Sequence, residues 1–316
     1  PCAGPLACGA DVDEALHLED RMANHLHYGL ALPVEYRTAA KLDGDVASLE
    51  PAWGDAGIWS GSYLAAESYR YAVARDHRHG AHADFWKDQQ AQAKARIDDL
   101  LAQVDLRTYI ARDWHPPVQP TVGGGTPPAL GVGGVFPGEA GMMMFSCAPV
   151  DAPPGFAMAR NSDVRGPFHW PGNGRPARLT QPAGDYVCEA STTRDAYAGT
   201  FFGLLNAFDL VGPDDPEVRA LIRDDVLAMA DFLLKYGWSY AHPHGEVAVP
   251  PFGDVYDNAL TPIMVISPSY RLLLSLAAKH VAEVAGPADE AVKWTAVWTE
   301  ELATQTAAQI LDIRGL

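Results

Sequence analysis

The chain has 316 residues, 48% of them hydrophobic and 20% charged, a balance typical of globular proteins that excludes wholesale disorder. Its net charge is −17, and its 23 Lys and Arg residues form no basic run, so nucleic acid and anionic membrane surfaces are not expected as partners. No apolar run reaches the roughly 18 residues that span a membrane, so no transmembrane helix is predicted.

The start of the chain and its cysteines indicate export. The chain begins with Pro1 rather than Met, as after removal of a leader peptide or in a recombinant product. Cys2 and Cys8 lie close together, whereas Cys147 and Cys188 flank a Gly- and Pro-rich segment. This pattern predicts a secreted, periplasmic or cell-surface protein with up to two disulfides; a cytosolic protein with four ordinary thiols is the alternative.

Seven segments show the apolar periodicity of α-helices. In chain order they span residues 11–30, 60–74, 83–104, 193–211, 216–236, 267–285 and 288–311. The fifth has the clearest ends, because Asp215 is a credible N-cap, Pro216 suits the first helical position and Gly237 ends the pattern.

Two long segments interrupt these helices. Residues 112–188 are rich in Gly and Pro and contain short apolar runs compatible with strands. Because a structureless insert of that length is unusual in a compact domain, we expect an ordered region over one face, tied by a disulfide between Cys147 and Cys188. Residues 239–268 predict a hairpin and a loop, and the methionines at 142–144 predict local packing.

The helices alternate in character. The second, fourth and sixth are apolar on nearly every side, whereas the third, fifth and seventh carry a charged face. A helix that is apolar all round must be covered on every side, and an amphipathic one needs a single partner face. With short turns at 212–214 and 286–287, this order predicts two layers of helical hairpins. The inner helices then run parallel and gather their N-termini at one rim, together with the long loops.

This alternation resembles the (α/α) toroid of six-hairpin glycosidases and related polysaccharide lyases of exported bacterial type. The stretches that carry the resemblance are WSGSYLAAESYRYAV and TTRDAYAGTFFGLLNAFDLV, and the likeness covers roughly residues 55–311. It implies an all-α fold, a single toroid domain over residues 1–316 with minor β structure at one rim. A closed six-hairpin ring needs more helices than seven, so we expect an incomplete barrel or the N-terminal part of a longer chain.

Asp195 is the leading catalytic candidate. It lies at the N-terminus of a predicted inner helix, where the helix dipole stabilises a carboxylate that can act as acid, base or hydroxyl-orienting group. Arg194 and Tyr197 beside it are predicted to bind sugar. The structural alternative is a capping box between Thr192 and Asp195 that satisfies free backbone N–H groups, and the two roles are compatible.

Three further acids are candidates for a second catalytic carboxylate, because glycoside hydrolysis uses two carboxylates that flank the scissile bond. Asp55 precedes the second predicted helix, and Asp254 and Asp257 lie in the loop FGDVYDNAL. The structural alternatives are packing at the rim for Asp55 and a turn with Asx hydrogen bonds for the two loop acids.

Aromatic and polar side chains near these acids predict carbohydrate contacts. Trp59 and Tyr63 offer flat apolar faces for stacking on sugar rings. Glu67 lies in an apolar helix, so it must be paired or face a cavity; an ion pair with Arg70 is the structural alternative. His244, in a predicted rim loop, is the candidate histidine for substrate contact.

No metal site or cofactor is predicted. DHRHGAH and HPHGE contain the His-x-His spacing found in some zinc and copper sites. The first group follows a helix end, where histidines commonly cap carbonyl groups, and at the second a substrate contact is favoured over a metal. The sequence lacks a dinucleotide fingerprint, a P-loop, a G-x-S-x-G elbow and an H-E-x-x-H motif.

Residues and resemblance together predict a secreted glycoside hydrolase that cleaves a polysaccharide by paired carboxylates. One alternative is a polysaccharide lyase acting on a uronate-containing glycan, with a Tyr or His base and with Arg194 against the uronate carboxylate. The other is a non-catalytic sugar-binding or scaffold protein that uses the same aromatic rim. The lyase is the less favoured of the two enzymes, because a net charge of −17 and few arginines do not suit an anionic uronate substrate. The oligomeric state stays open.

Overall fold

The computed structural model describes most of the helical part of the chain. The described residues are 17, 19, 26–27, 30–31, 34–35, 50–51, 56–80, 82–112, 140–151, 164–172, 181–189, 192–235, 238 and 266–304. Helix accounts for 74% of them, so the described part of the chain is mostly helical, and nothing in it contradicts the predicted all-α class.

Six long helices dominate the described residues. They are α1 (Ala56–His77), α2 (Ala83–Arg112), α3 (Arg194–Leu210), α4 (Pro216–Lys235), α5 (Ile266–Ala285) and α6 (Ala288–Thr304). Each corresponds to a segment with predicted helical periodicity. α1 extends beyond the predicted 60–74 at both ends, and α2 continues past residue 104 to Arg112.

Local capping explains where α3 and α4 begin. The N-cap of α3 is Thr193, whose hydroxyl oxygen accepts a hydrogen bond from the Ala196 N–H at 3.1 Å. The capping box predicted from Thr192 and Asp195 is therefore wrong, because Thr193 occupies the extended position directly before the helix. The Asp215 carboxylate accepts a hydrogen bond at 3.2 Å from the N–H three residues on, which confirms the predicted cap of α4.

α1, α3 and α5 run parallel, because residue numbers rise together along each contact between them. The contacts that fix this direction are Gly57 with Ala196 and Gly61 with Gly199 between α1 and α3, and Asp195 with Tyr270 and Asp209 with His280 between α3 and α5. The N-termini of these three helices consequently lie at one end of the molecule, as predicted.

Each of these helices is followed by a helix that packs back against it. α2 returns along α1, α4 along α3 and α6 along α5. Short turns join the last two pairs, at residues 211–214 and 286–287. The described residues thus form three helical hairpins in two layers, with α1, α3 and α5 in one layer and α2, α4 and α6 in the other.

Among the described residues, the β structure consists of short antiparallel strands. In the N-terminal part, β1 (Leu26–His27) pairs with β2 (Leu30–Ala31), and β3 (Val34–Glu35) pairs with β4 (Glu50–Pro51). The predicted helix over residues 11–30 is therefore wrong at its end, although residues 17 and 19 are helical. The sequence carries a turn signal at Gly29, to which the prediction gave less weight than to the helical periodicity.

The long insert contains a three-stranded antiparallel sheet with strand order β5–β7–β6. Its strands are β5 (Ser146–Pro149), β6 (Val164–Trp170) and β7 (Gly184–Glu189). Cys147 and Cys188 are direct partners on β5 and β7 and form the predicted disulfide, with Cα atoms 4.1 Å apart. Cys2 and Cys8 lie outside the described residues.

The sheet packs on α2. The Gln103 amide donates to the Cys147 carbonyl at 2.8 Å, and the Tyr109 and Trp170 rings meet edge to face at 4.7 Å. The segment leading into β5 contains the three methionines at 142–144, all fully buried, so the prediction that they serve packing is confirmed.

One face of the first helical layer lies open to solvent. We call it the open face; its large apolar residues are Trp59, Tyr69 and Val73 of α1, Phe202 of α3, and Leu273 and Leu276 of α5. The expectation that these helices are covered on every side is wrong. α1, α3 and α5 form a single row. Each packs against its neighbour or neighbours in the row and against the helix that follows it in the chain. None of the described helices covers the open face. None of the helices in the described ranges is long and apolar enough to cross a membrane.

Candidate functional site

Parallel packing of α1, α3 and α5 places three candidate site residues at one end of the open face. They are Trp59 in the first turn of α1, Asp195 in the first turn of α3 and Tyr270 in the first turns of α5. The first turns of α1 and α3 touch, since a Cβ on Gly57 would lie 2.8 Å from the Ala196 Cα. We call these three residues the N-terminal site.

Asp195 is exposed at the second helical position of α3. Because Thr193 caps the helix, the Asp195 carboxylate is not engaged in a capping box. The Tyr270 hydroxyl donates to Oδ1 across the gap between α3 and α5, at 3.4 Å. Negative charge is favoured at this end of a helix, so the arrangement suits a carboxylate that orients or deprotonates a hydroxyl group.

Trp59 presents its indole to solvent at the same end. Its side chain is 50% exposed, while Ala56 and Gly57 before it are buried and Gly57 faces Ala196 of α3. Tryptophan is a large side chain whose burial is strongly favourable, so a half-exposed Trp at the same end of the molecule as Asp195 is a candidate binding residue.

Tyr270 was missed by the sequence analysis. The sequence does contain a signal for Tyr270. This residue comes shortly after the start of the third apolar helix, α5, just as Asp195 comes shortly after the start of the second, α3. The stretch ISPSYR has the same character as STTRDAY: small hydroxyl residues, then a polar or aromatic side chain. Aligning the starts of the apolar helices would have brought Tyr270 into the candidate set.

Tyr197 lies in the core rather than at the N-terminal site. It is fully buried, and its hydroxyl donates to the Gly141 carbonyl at 3.2 Å. Burial raises the pKa of the Tyr197 hydroxyl above its ordinary value. Arg194 opens α3, and the placement of its side chain lies outside the described residues.

Tyr63 and Glu67 lie away from the N-terminal site, in a buried cluster with Glu19. The Tyr63 hydroxyl donates to Glu19 Oε1 at 2.8 Å. The Arg70 guanidinium contacts Glu19 Oε1 at 3.0 Å and Glu67 Oε2 at 3.2 Å, so the proposed Arg70 contact of Glu67 is present but shared. Gln89 and Gln92 of α2 accept the remaining Arg70 hydrogen bonds, at 2.7 and 2.9 Å.

The Glu67 carboxyl is in hydrogen-bond contact with Glu19. Glu67 is 2% exposed, and burial together with the hydrogen bond to Glu19 raises the pKa of its carboxyl to about 8. Burial and the nearby Glu67 charge also raise the pKa of Tyr63. Carboxyl groups in hydrogen-bond contact leave no room for a glycosidic bond, which needs a separation of about 5 Å or more. The cluster instead ties residue 19 to α1.

Four predicted site residues fall outside the described residues: Asp55, Asp254, Asp257 and His244. Within the described ranges, no group of three or more His, Cys, Asp or Glu side chains is placed to hold a metal ion. His77 Nδ1 lies 2.8 Å from the Val73 carbonyl at the C-terminal end of α1, the capping contact expected of a histidine there.

Comparison of the chain with protein-family models, with curated proteins and with solved structures finds no match.

Proposed function

We propose that the chain is an exported carbohydrate-active enzyme, a glycoside hydrolase that binds a polysaccharide at the N-terminal site. One observation carries this proposal. Asp195, exposed at a helix N-terminus with the Tyr270 hydroxyl 3.4 Å away, shares its end of the open face with the half-exposed Trp59. The combination supplies a stacking ring, a hydrogen-bond donor and a carboxylate at one surface.

Each of the three residues has a distinct role in this proposal. Trp59 stacks on the apolar face of a sugar ring and excludes water from it. Tyr270 holds the Asp195 carboxylate in place by donating to Oδ1. Asp195 acts as the base or nucleophile, because its carboxylate is exposed in the first turn of α3. The acid partner is one of Asp55, Asp254 or Asp257, and a catalytic pair requires about 5 to 9.5 Å between carboxyl groups.

We also propose that the three hairpins belong to an (α/α) toroid. Alternating layers, parallel first-layer helices and an apolar open face support this architecture, since a ring would place the open face inside. The Cys147–Cys188 disulfide supports export, because disulfides persist in oxidising compartments.

A panel of bacterial and plant polysaccharides tests the proposed function. Hydrolysis releases reducing ends without new ultraviolet absorbance, and this is the expected result. A lyase would instead generate unsaturated ends that absorb in the ultraviolet. Retention on immobilised glycans without any released product would identify a non-catalytic sugar-binding protein.

A further inference from the structure

A buried carboxylate binds two donors from different parts of the chain. Glu301, in the last turn of α6, is 5% exposed. Its Oε1 accepts hydrogen bonds from Arg271 Nη2 of α5 at 2.6 Å and from the Trp238 indole N–H at 2.9 Å. The Arg271 guanidinium also lies 6.0 Å from the centre of the Trp238 ring. We call Trp238, Arg271 and Glu301 the clamp.

Trp238 enters the clamp in a strained backbone conformation. It follows the end of α4, where its N–H donates to the Leu233 carbonyl at 2.6 Å, and its φ angle is 63°. A bulky residue rarely adopts this left-handed conformation, which persists only where the surrounding contacts enforce it. Burial of the Trp238 ring and its hydrogen bond to Glu301 are such contacts. The clamp therefore joins the end of α4 to α5 and α6 at a single carboxylate oxygen.

The clamp is connected to the N-terminal site because Arg271 directly follows Tyr270 in α5. The hydrogen bond from Tyr270 to Asp195, at 3.4 Å, is longer than most O–H···O hydrogen bonds. Such a bond contributes little net stability, so it does not fix one helix against another by itself. The pairing of Glu301 with Arg271 is more constraining, because a buried carboxylate that loses its cation is costly.

We propose that Arg271 is a positioning residue of the N-terminal site. Its bond to Glu301 fixes the first turns of α5, and so it sets where the Tyr270 hydroxyl meets Asp195. Arg271 acts through Tyr270 and does not touch the substrate. The role in catalysis rests on the proposed function, whereas the placement of Tyr270 can be measured without any substrate.

Crystal structures of the unaltered protein and of Arg271→Met test this placement. Methionine keeps much of the length of the side chain but cannot donate to Glu301. We expect the Tyr270 hydroxyl to move beyond hydrogen-bond distance of Asp195, whereas Arg271→Lys should keep the contact. Lys279→Met is the matched control, because Lys279 is a second cation of α5 with a carboxylate partner of its own. An unchanged contact between Tyr270 and Asp195 in Arg271→Met would overturn the proposal.

A double-mutant cycle tests the role in catalysis. On a polysaccharide that the unaltered protein cleaves, Arg271→Met should lower kcat about tenfold while KM changes by less than about twofold. Arg271→Lys should restore most of the lost rate. Because Arg271 acts through Tyr270, adding Arg271→Met to Tyr270→Phe should cause no further loss. Additive losses from the two substitutions would contradict the proposal.

Failure of the proposed function would not hide failure of this inference. If the protein cleaves no polysaccharide, the crystal structures still show whether Arg271 places Tyr270. If Arg271→Met does not fold, Glu301→Gln takes its place, because it removes the charge that holds Arg271 and keeps the shape of the side chain. A Tyr270 hydroxyl that stays on Asp195 in Glu301→Gln would then refute the positioning role.

Discussion

Gly61 of α1 and Gly199 of α3 are in direct backbone contact, and a Cβ on Gly61 would overlap the Gly199 carbonyl. Gly57 and Gly203 continue this contact along the same two helices. Only residues without a side chain allow helices to approach so closely. The contact fixes the register of α1 against α3, and so it sets where Trp59 lies relative to Asp195.

Gly61→Ala should destabilise the protein strongly. The added methyl group meets backbone rather than a movable side chain, so relief requires the helices to separate. We expect a loss of at least about 3 kcal/mol in the free energy of unfolding, measured by denaturant titration. Gly80→Ala is the control, because its nearest contact is an oxygen at 3.6 Å; it should change stability by less than about 0.5 kcal/mol. Equal effects of the two substitutions would refute the close contact.

Glu67 should make the protein less stable as pH rises from about 4.5 to 8. The folded state keeps the Glu67 proton up to a pKa of about 8, whereas the unfolded chain releases it near the ordinary value of 4.5. Unfolding therefore releases a proton in this window, and stability falls by at most about 1.4 kcal/mol per pH unit. Glu67→Gln should flatten that slope in denaturant titrations across the window.

Glu300→Gln serves as the control for Glu67, because this glutamate is exposed on α6. The free energy of unfolding of Glu300→Gln should depend on pH in the same way as that of the unaltered protein. A Glu67→Gln profile with an unchanged slope would mean that Glu67 is ionised throughout the window.

Removing the Cys147–Cys188 disulfide should lower stability. The bond closes a loop with a sequence separation of 41 residues, for which the chain-entropy model gives about 4 kcal/mol. The double variant Cys147→Ala with Cys188→Ala should therefore unfold at a lower denaturant concentration, and reductant should no longer act through this bond. A midpoint within error of the unaltered protein would show that β5 and β7 need no covalent link.

Trp59→Ala should weaken carbohydrate binding without a comparable loss of stability, because half of this side chain is already exposed. We expect about a tenfold increase in Kd for a bound oligosaccharide, or ~1.4 kcal/mol. Tyr69→Ala is the matched control, since Tyr69 is an aromatic residue exposed farther along the same helix. Equal losses from the two variants would place the sugar along the open face instead of at the N-terminal site.

The helices could be predicted from the sequence because their signals are local. Apolar periodicity, Asp215 as a cap, and Gly212 and Gly286 at the turns all act within a few residues. The hairpin order and the parallel inner helices followed from those signals, whereas the Cys147–Cys188 bond was predicted from the long insert that the two cysteines flank. The N-cap of α3 was predicted wrongly, as Thr192 instead of Thr193. Both threonines are good caps, and only the position at which the helix starts distinguishes them.

The sites depend on contacts that local patterns do not encode. Tyr63 meets Glu19 across 44 residues, Tyr197 meets Gly141 across 56, and Tyr270 meets Asp195 across 75. Periodicity assigned Tyr197 to an apolar helix but could not say that its ring enters the core. Arg107 lies in an amphipathic helix, where an arginine normally faces water. Its burial depends on the packing of the distant Phe145 segment against α2, which the local sequence does not encode.

Turnover by Asp195→Asn is the most direct test of the proposed function, with Asp209→Asn as the matched control at the opposite end of α3. Both side chains are exposed, so neither substitution should shift the melting temperature appreciably. On the polysaccharide that the unaltered protein cleaves, Asp195→Asn should release no detectable reducing ends, while Asp209→Asn should keep full activity. Retained activity in Asp195→Asn would contradict the assignment of catalysis to the N-terminal site.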